Sequence, residues 1–506
     1  MRKVLTFSFL VVTITSIAQV NPMAQLYGNQ VSASELKEYL SIIASDALEG
    51  RKTGTRGQKM AGAFIAHHFE EVGLMPSANR SYFQSLDLYS ASPAKVYVKA
   101  GATQYENYTD IFYMGSADSN GEVATDLVFI GKGAESDYQQ IDVKGKAVLI
   151  IAADVSQLRA LRPAVQLARE KGAAMVFVVT ESLDDDFKKF SEGMKGFLSG
   201  GLSLNKPGNV TGASLLADKG TFVIDQKAAS IFLSTTFDKL KKAANEEAAK
   251  KALKKIKPGK ISYNVSIQTK TVKVENVLGY LEGTDKKDEV ILVTAHYDHI
   301  GTTEQGEDKI NNGADDDGSG TVAVLELAKV FAKAKREGHG PRRSMVFMTV
   351  TGEEMGLLGS EYYVEHPIYP LANTVVDLNI DMIGRSDPQH KDKPDYVYVI
   401  GSDKLSSELH ALSENTNKTY AKLEFDYTYN AEDHPDNIYR RSDHWNFAKN
   451  GIPIIFYFDG IHEDYHKPSD EVSKIDFPLL AKRAQNVFYT AWEIANRDNR
   501  IAVDKK

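Results

Sequence analysis

The chain has 506 residues, enough for two or three domains at about 150 residues each. Hydrophobic residues are 42% and charged residues 25% of it, ordinary globular usage that excludes collagen, coiled-coil rods and wholesale disorder. The 60 basic and 68 acidic residues give a net charge of −8, so no global positive field draws nucleic acid or an anionic membrane, and the absence of cysteine leaves His, Asp and Glu as the only candidate metal ligands.

Arg2 and Lys3 precede an apolar run from Val4 to Ile17, and Ser16-Ile17-Ala18 supplies small residues for a cleavage site. The run is shorter than the roughly 20 residues that span a bilayer. Residues 1–18 therefore read as a secretory signal peptide, with the mature chain periplasmic or extracellular, and no later stretch is apolar enough for a membrane span. Within 19–90, the helical spacing of Leu36, Tyr39, Leu40 and Ile43, then of Phe64, Ile65, Phe69 and Val72, predicts two helices joined by the polar loop 49–57. Residues 91–262 change to short strands, at 126–130, 146–151 and 173–180, with a helix at 158–171, and read as a separate small mixed α/β domain. It closes with a basic helix near 239–257, taken as a solvated face because Glu246 and Glu247 dilute the lysines.

Residues 263–495 continue the first domain, and 496–506 form a polar tail. The apolar run 290–294 predicts a strand buried on both faces, followed by a helix at 319–336 with Val324, Leu327, Ala328 and Phe331 on one side. Strands at 345–350, 375–380 and 452–458 complete an open, largely parallel α/β sheet covered on both faces, in which ligands bind beyond the carboxyl ends of the strands. Those ends carry His296-Tyr-Asp298, Thr351-Gly-Glu-Glu354, Asp381-Met-Ile-Gly384 and Asp459-Gly-Ile-His-Glu-Asp-Tyr-His466, and the run Asn311 to Gly320 holds three aspartates at a helix start. One such residue is an ordinary cap. So many carboxylates at one edge repel one another unless cations intervene.

This constellation resembles the secreted di-zinc aminopeptidase family, over 34–73 and about 265–495. The resemblance implies a three-layer α/β/α zinc-exopeptidase domain with an inserted protease-associated domain, whose best piece is Asp142-Val-Lys-Gly-Lys-Ala-Val-Leu-Ile150. It implies two zinc ions per chain, one on His296, Asp316 and Asp381 and the other on Asp316, Glu354 and His466, with Asp316 bridging and joined to Asp317 by a cis peptide. Glu353 is then the general base of a shared, metal-activated water, Asp298 stands behind His296, and Tyr465 is a candidate oxyanion donor. The implied substrates are peptides or proteins with a free amino terminus; oligomeric state is not legible.

Other readings compete. His462-Glu463-Asp-Tyr-His466 matches the pattern of single-zinc endopeptidases, which works only on a helix, whereas Gly460 and Pro468 bracket it here. The aspartate run fails as a calcium loop, since Gly318 at loop position 6 puts Val324 at position 12. A glutaminyl cyclase with one functional zinc, or a receptor-like binder on the same scaffold, remains open, and Ser442-Asp443-His444 is too contiguous for a catalytic triad. Arg385, His434 and Arg441 are expected near the cleft without an assigned role.

Overall fold

The run 290–294 has parallel neighbours on both sides, so both of its faces are removed from water. The computed structural model that shows this describes residues 20–505 apart from 78–79, 116, 140, 154–160, 183–186, 192–200, 207–219 and 246–251. The signal-peptide reading therefore lies outside the described residues, as does the middle of the basic helix, of which Phe237–Asn245 is helical. Among the described residues no helix is long and apolar enough to cross a membrane. The chain divides into two compact units, Met1–Leu86 with Lys273–Lys506, and Asp87–Val272.

The larger unit is built on a sheet of β1 (Gly259–Leu281, through its carboxyl-terminal part), β2 (Lys286–His296), β3 (Arg343–Val350), β4 (Thr374–Ile380), β5 (Tyr396–Ile400), β6 (Glu424–Asp426) and β7 (Ile454–Phe458). Their spatial order is β6-β5-β7-β4-β2-β3-β1. The central pairs β3/β2, β2/β4 and β4/β7 are parallel, whereas β1 against β3 and β5 against β7 are antiparallel, so the sheet is mixed. Alternation along β2 sends Ile291, Val293 and Ala295 into a core shared with helices Ala33–Ile43, Arg56–Glu71, Gly320–Arg336 and Phe477–Asn496. Val290 and Leu292 point the other way, into a core with Tyr363 and Phe447. Helix Gly320–Arg336 is more enclosed than its amphipathic pattern predicts, because other helices flank it and Val322, Ala323 and Leu325 are buried along with the expected face.

In the smaller unit, Glu122–Phe129, Ala147–Ala152, Met175–Thr180 and Thr221–Ile224 pair in parallel in that order. Ile111–Met114 closes one side and residues 259–264 the other, both antiparallel. Of the helix expected at 158–171, Arg162–Glu170 is helical, and 158–160 lie outside the described residues. Phe177 and Phe222 stack at 4.8 Å on one face of this sheet, while Val148, Val176 and Val178 line the other.

A buried cation ties the loops of the larger unit together. Arg51 ends a short 3-10 turn, Asp46–Arg51, and its guanidinium donates to the carbonyls of Ile43 (2.7 Å), Tyr297 (2.9 Å), Asn312 (2.6 Å) and Gly313 (3.0 Å). Burial lowers its pKa to about 10, still far above neutrality, against the opposing charges of Asp316, Asp470, Asp298 and Asp317. Replacing it with Met strands four carbonyls, so Arg51→Met should lower unfolding free energy by about 3 to 5 kcal/mol in urea denaturation. Arg51→Lys should recover only part, since an ammonium lacks the planar fork.

Candidate metal centre

Register aligns the strand ends. His296 lies opposite Val350 between β2 and β3, and Ile380 opposite Tyr457 between β4 and β7, so the residues that follow emerge along one edge. There, His296 Nε2 stands 3.2 Å from Asp316 Oδ1, 3.8 Å from Asp381 Oδ1 and 3.9 Å from Glu353 Oε2. On the other side of Asp316, His466 Nε2 is 3.1 Å from Asp316 Oδ2 and 3.2 Å from Glu354 Oε2. Two ligands each about 2.1 Å from a tetrahedral zinc stand roughly 3.4 Å apart, so these spacings fit a shared ion on either side. Buried Asp316 Oδ2 and Glu354 Oε1 have no hydrogen-bond partner among the described residues, a cost of about 1 to 3 kcal/mol each that a cation would remove.

The surroundings fix these groups. His296 Nδ1 lies 3.0 Å from the carbonyl of Asp298, which only accepts, so Nδ1 donates there and Nε2 is left facing the carboxylates. The expectation that the Asp298 carboxylate orients the imidazole is corrected: that carboxylate is 3.9 Å away and instead accepts from Thr53 Oγ1 (2.5 Å) and the Glu353 amide (3.3 Å). The chain has left the strand after His296, so the two-residue alternation no longer holds there. Asp316 and Asp317 are joined by a cis peptide and diverge. Asp317 accepts the amides of His296, Gly320 and Met382, while the Asp316 amide is held by Asp470 Oδ2.

Charge sharing sets the protonation. Burial raises Asp316 by itself, yet His296 and His466 hold it well below the usual carboxylate range. Against burial and the charge of Asp316, His299 and His466 bring Glu354 below its ordinary value. Burial, with Glu354, Asp381 and Asp443 near it, pushes Glu353 well above that range despite His296. Burial and the charges of Asp316 and Glu354 raise Tyr465 as well, so its phenol keeps a proton; Arg441 Nη2 lies 3.5 Å from that oxygen.

The other sequence signals separate here. Residues 463–466 form turns, not a helix; His462 Nε2 faces Asp315 Oδ2 at 3.2 Å while His466 faces Asp316, so the two histidines do not share a face. Arg385 pairs with Asp464 (3.0 Å), which Lys474 and Ser469 also bind, and this clamps the loop that carries His466. Ring stacking holds His434 edge-on to Tyr429 at 4.9 Å. Ser442 accepts from Asn379, Asp443 from Ser360, and His444 donates to the Tyr439 carbonyl at 2.8 Å, so those three side chains serve separate contacts. One buried histidine was not singled out from sequence: His299, whose Nδ1 lies 2.9 Å from Glu354 Oε1 and 3.8 Å from Asp316 Oδ2. Its signal was the repeat of histidine three residues after His296.

Histidines and carboxylates thus gather at the carboxyl edge of a mixed α/β sheet, and residues 276–491 match the model of peptidase family M28. Aminopeptidase YwaD of Bacillus subtilis is 27% identical over 240 residues, covering 46% of this chain and 47% of that protein. A probable zinc metalloprotease of Pyrenophora tritici-repentis is 27% identical over 256 residues, covering 44% of this chain and 52% of that protein. The chain thus spans about half the length of the curated relatives it matches. The solved aminopeptidase from Aneurinibacillus sp. strain AM-1 superposes with a TM-score of 0.54 at 18% identity, over 96% of this chain and 98% of that one, and shares the fold.

His444 supplies a pH signature. Burial lowers its pKa from 6.5 to about 3, so in the folded state it stays neutral where the unfolded chain takes up a proton. A histidine depressed by folding costs no stability above pH 6.5 and progressively more as pH falls toward 3. The stability of His444→Gln, read by urea midpoint, should therefore fall less steeply than that of the unaltered protein between those two values.

Proposed function

We propose that this chain is an exported zinc aminopeptidase, holding two zinc ions and releasing the amino-terminal residue of peptides and proteins. One ion would be held by His296, Asp316 and Asp381 and the other by Asp316, Glu354 and His466. The observation that carries this reading is Asp316, whose two oxygens face His296 at 3.2 Å and His466 at 3.1 Å. Zinc, when bound, activates a water near neutral pH and polarises a carbonyl. Glu353, 3.9 Å from His296 and lining the cleft, takes the proton of the attacking water in its ionised form and returns it to the leaving amine. Tyr465 donates its phenolic proton as a hydrogen bond to the oxyanion. The acidic groups Glu353 and Asp381 attract a free, protonated amino terminus, and the cleft beside them is walled by Met382, Ile438, Phe456, Phe458 and Ile461, which suits an apolar first side chain. Export rests on the pattern of residues 1–18, and the smaller unit is read as a protease-associated domain on the stretch 142–150.

Glu353→Gln leaves every proposed ligand in place, so zinc content should stay near two per chain while turnover falls by about 10² to 10⁴. Glu463→Gln, on a loop residue, should keep most activity; the reverse pattern sinks the assignment. On a panel of aminoacyl amides, Leu and Phe should be cleaved faster than Asp or Lys, and acetylation of the amine should slow cleavage by orders of magnitude. Equal rates on free and blocked amines would make the protein an endopeptidase.

A further inference from the structure

The two sides of Asp316 are not equivalent, because a third imidazole stands on one of them. His299 is fully buried, and its Nδ1 approaches Glu354 Oε1 at 2.9 Å and Asp316 Oδ2 at 3.8 Å. These three donor atoms lie within 4.8 Å of one another. Apart from that approach to Glu354, neither ring nitrogen of His299, nor Glu354 Oε1, nor Asp316 Oδ2 has a partner with hydrogen-bond geometry among the described residues. A structural histidine in a dry core uses at least one ring nitrogen in a hydrogen bond, as His444 does with the Tyr439 carbonyl. His299 instead converges with two orphaned carboxylate oxygens.

The ring is placed by the main chain. The His299 amide donates to the carbonyl of Arg51 at 3.2 Å, and the ring lies against Gly313, where a Cβ would stand 2.6 Å from its Cγ and Cδ2. Gly313 has φ +54, so two separate constraints keep that position free of a side chain. Opposite, the His466 ring sits edge-on at 5.7 Å with its Nε2 on the same two carboxylates.

We propose that His299 is a direct ligand of the ion held by Asp316, Glu354 and His466, giving that position four protein donors while the His296 side keeps three. The proposal rests on the two-metal reading above. Four protein ligands characterise closed sites and three characterise sites that keep a position for water or substrate. The His299 side is then the tighter and more permanently held ion, and the His296 side, beside Glu353 and the cleft, is the exchangeable one that meets substrate.

X-ray absorption at the zinc edge counts imidazoles per ion and needs no turnover. The metal-stripped full chain is loaded with zinc at one and at two equivalents. A His299 ligand gives about two imidazoles per zinc at one equivalent and about 1.5 at two, from three imidazoles over two ions. His299→Gln should give about one at both loadings, and the first equivalent should bind more than about 100-fold more weakly, beyond the effect of losing an outer partner. One imidazole per zinc at both loadings of the unaltered protein overturns the proposal and leaves the two-metal reading standing. Uptake of only one equivalent overturns the two-metal reading, and the imidazole count at that ion still decides for or against His299. Because the unaltered protein carries the decisive measurement, a variant that fails to fold does not stop the test.

Discussion

Like charges cannot be crowded into a dry space without compensation, and that constraint organises the larger unit. Asp316, Glu353, Glu354 and Asp381 converge within a few ångströms of His296, His299 and His466, and of these Asp316, Asp381, His296 and His299 are buried. The imidazoles offset part of the repulsion, which is why Asp316 and Glu354 stay ionised while Glu353 is driven toward protonation. The same pressure separates acid from base among residues of one chemical type, as neighbouring carboxylates in unlike environments do in general.

Holding that charge in place falls to a second ring of contacts made largely by the backbone. Arg51 gathers four carbonyls from three segments, Asp317 gathers three amides, and Asp470 fixes the amide of Asp316. Each of these groups is ionisable and buried, so removing one leaves partners unsatisfied and shifts the loops that carry donor atoms. His466 and Met382, at φ of 56 and 59, adopt the left-handed conformation that side chains disfavour, and both border the site. The middle of the sheet is mostly apolar packing, crossed by a buried polar contact in which Thr294 donates to Asp377 and Asn379.

That contrast explains what could be read in advance. Continuous apolar runs that stop abruptly at His, Glu or Asp are visible without a structure, so His296, Glu353, Glu354, Asp381 and His466 stood out. His299 did not, because it lies past the end of its strand, where neither strand nor helix periodicity applies and position depends on distant Arg51 and Gly313. Asp298 was noticed but given the wrong contact for the same reason. Strand Tyr396–Ile400 escaped notice as well: it is five residues long and buried throughout, with no polar alternation, and its neighbour Glu424–Asp426 has only three residues and is a strand through its pairing.

The interruption of the larger unit by Asp87–Val272 also imposes an order in time. Helices Ala33–Ile43 and Arg56–Glu71 carry apolar faces whose partners, Ile291, Val293 and helix Gly320–Arg336, come some two hundred residues later in the chain. At synthesis rates of about 5 to 20 residues per second, those helices wait roughly 10 to 40 seconds before the strands that shield them exist. The smaller unit has its own sheet and cores, and it is complete while the helices are still waiting. A nascent chain of this protein thus passes through a state with one finished unit and one unmet apolar surface, which is when a chaperone has the most to bind.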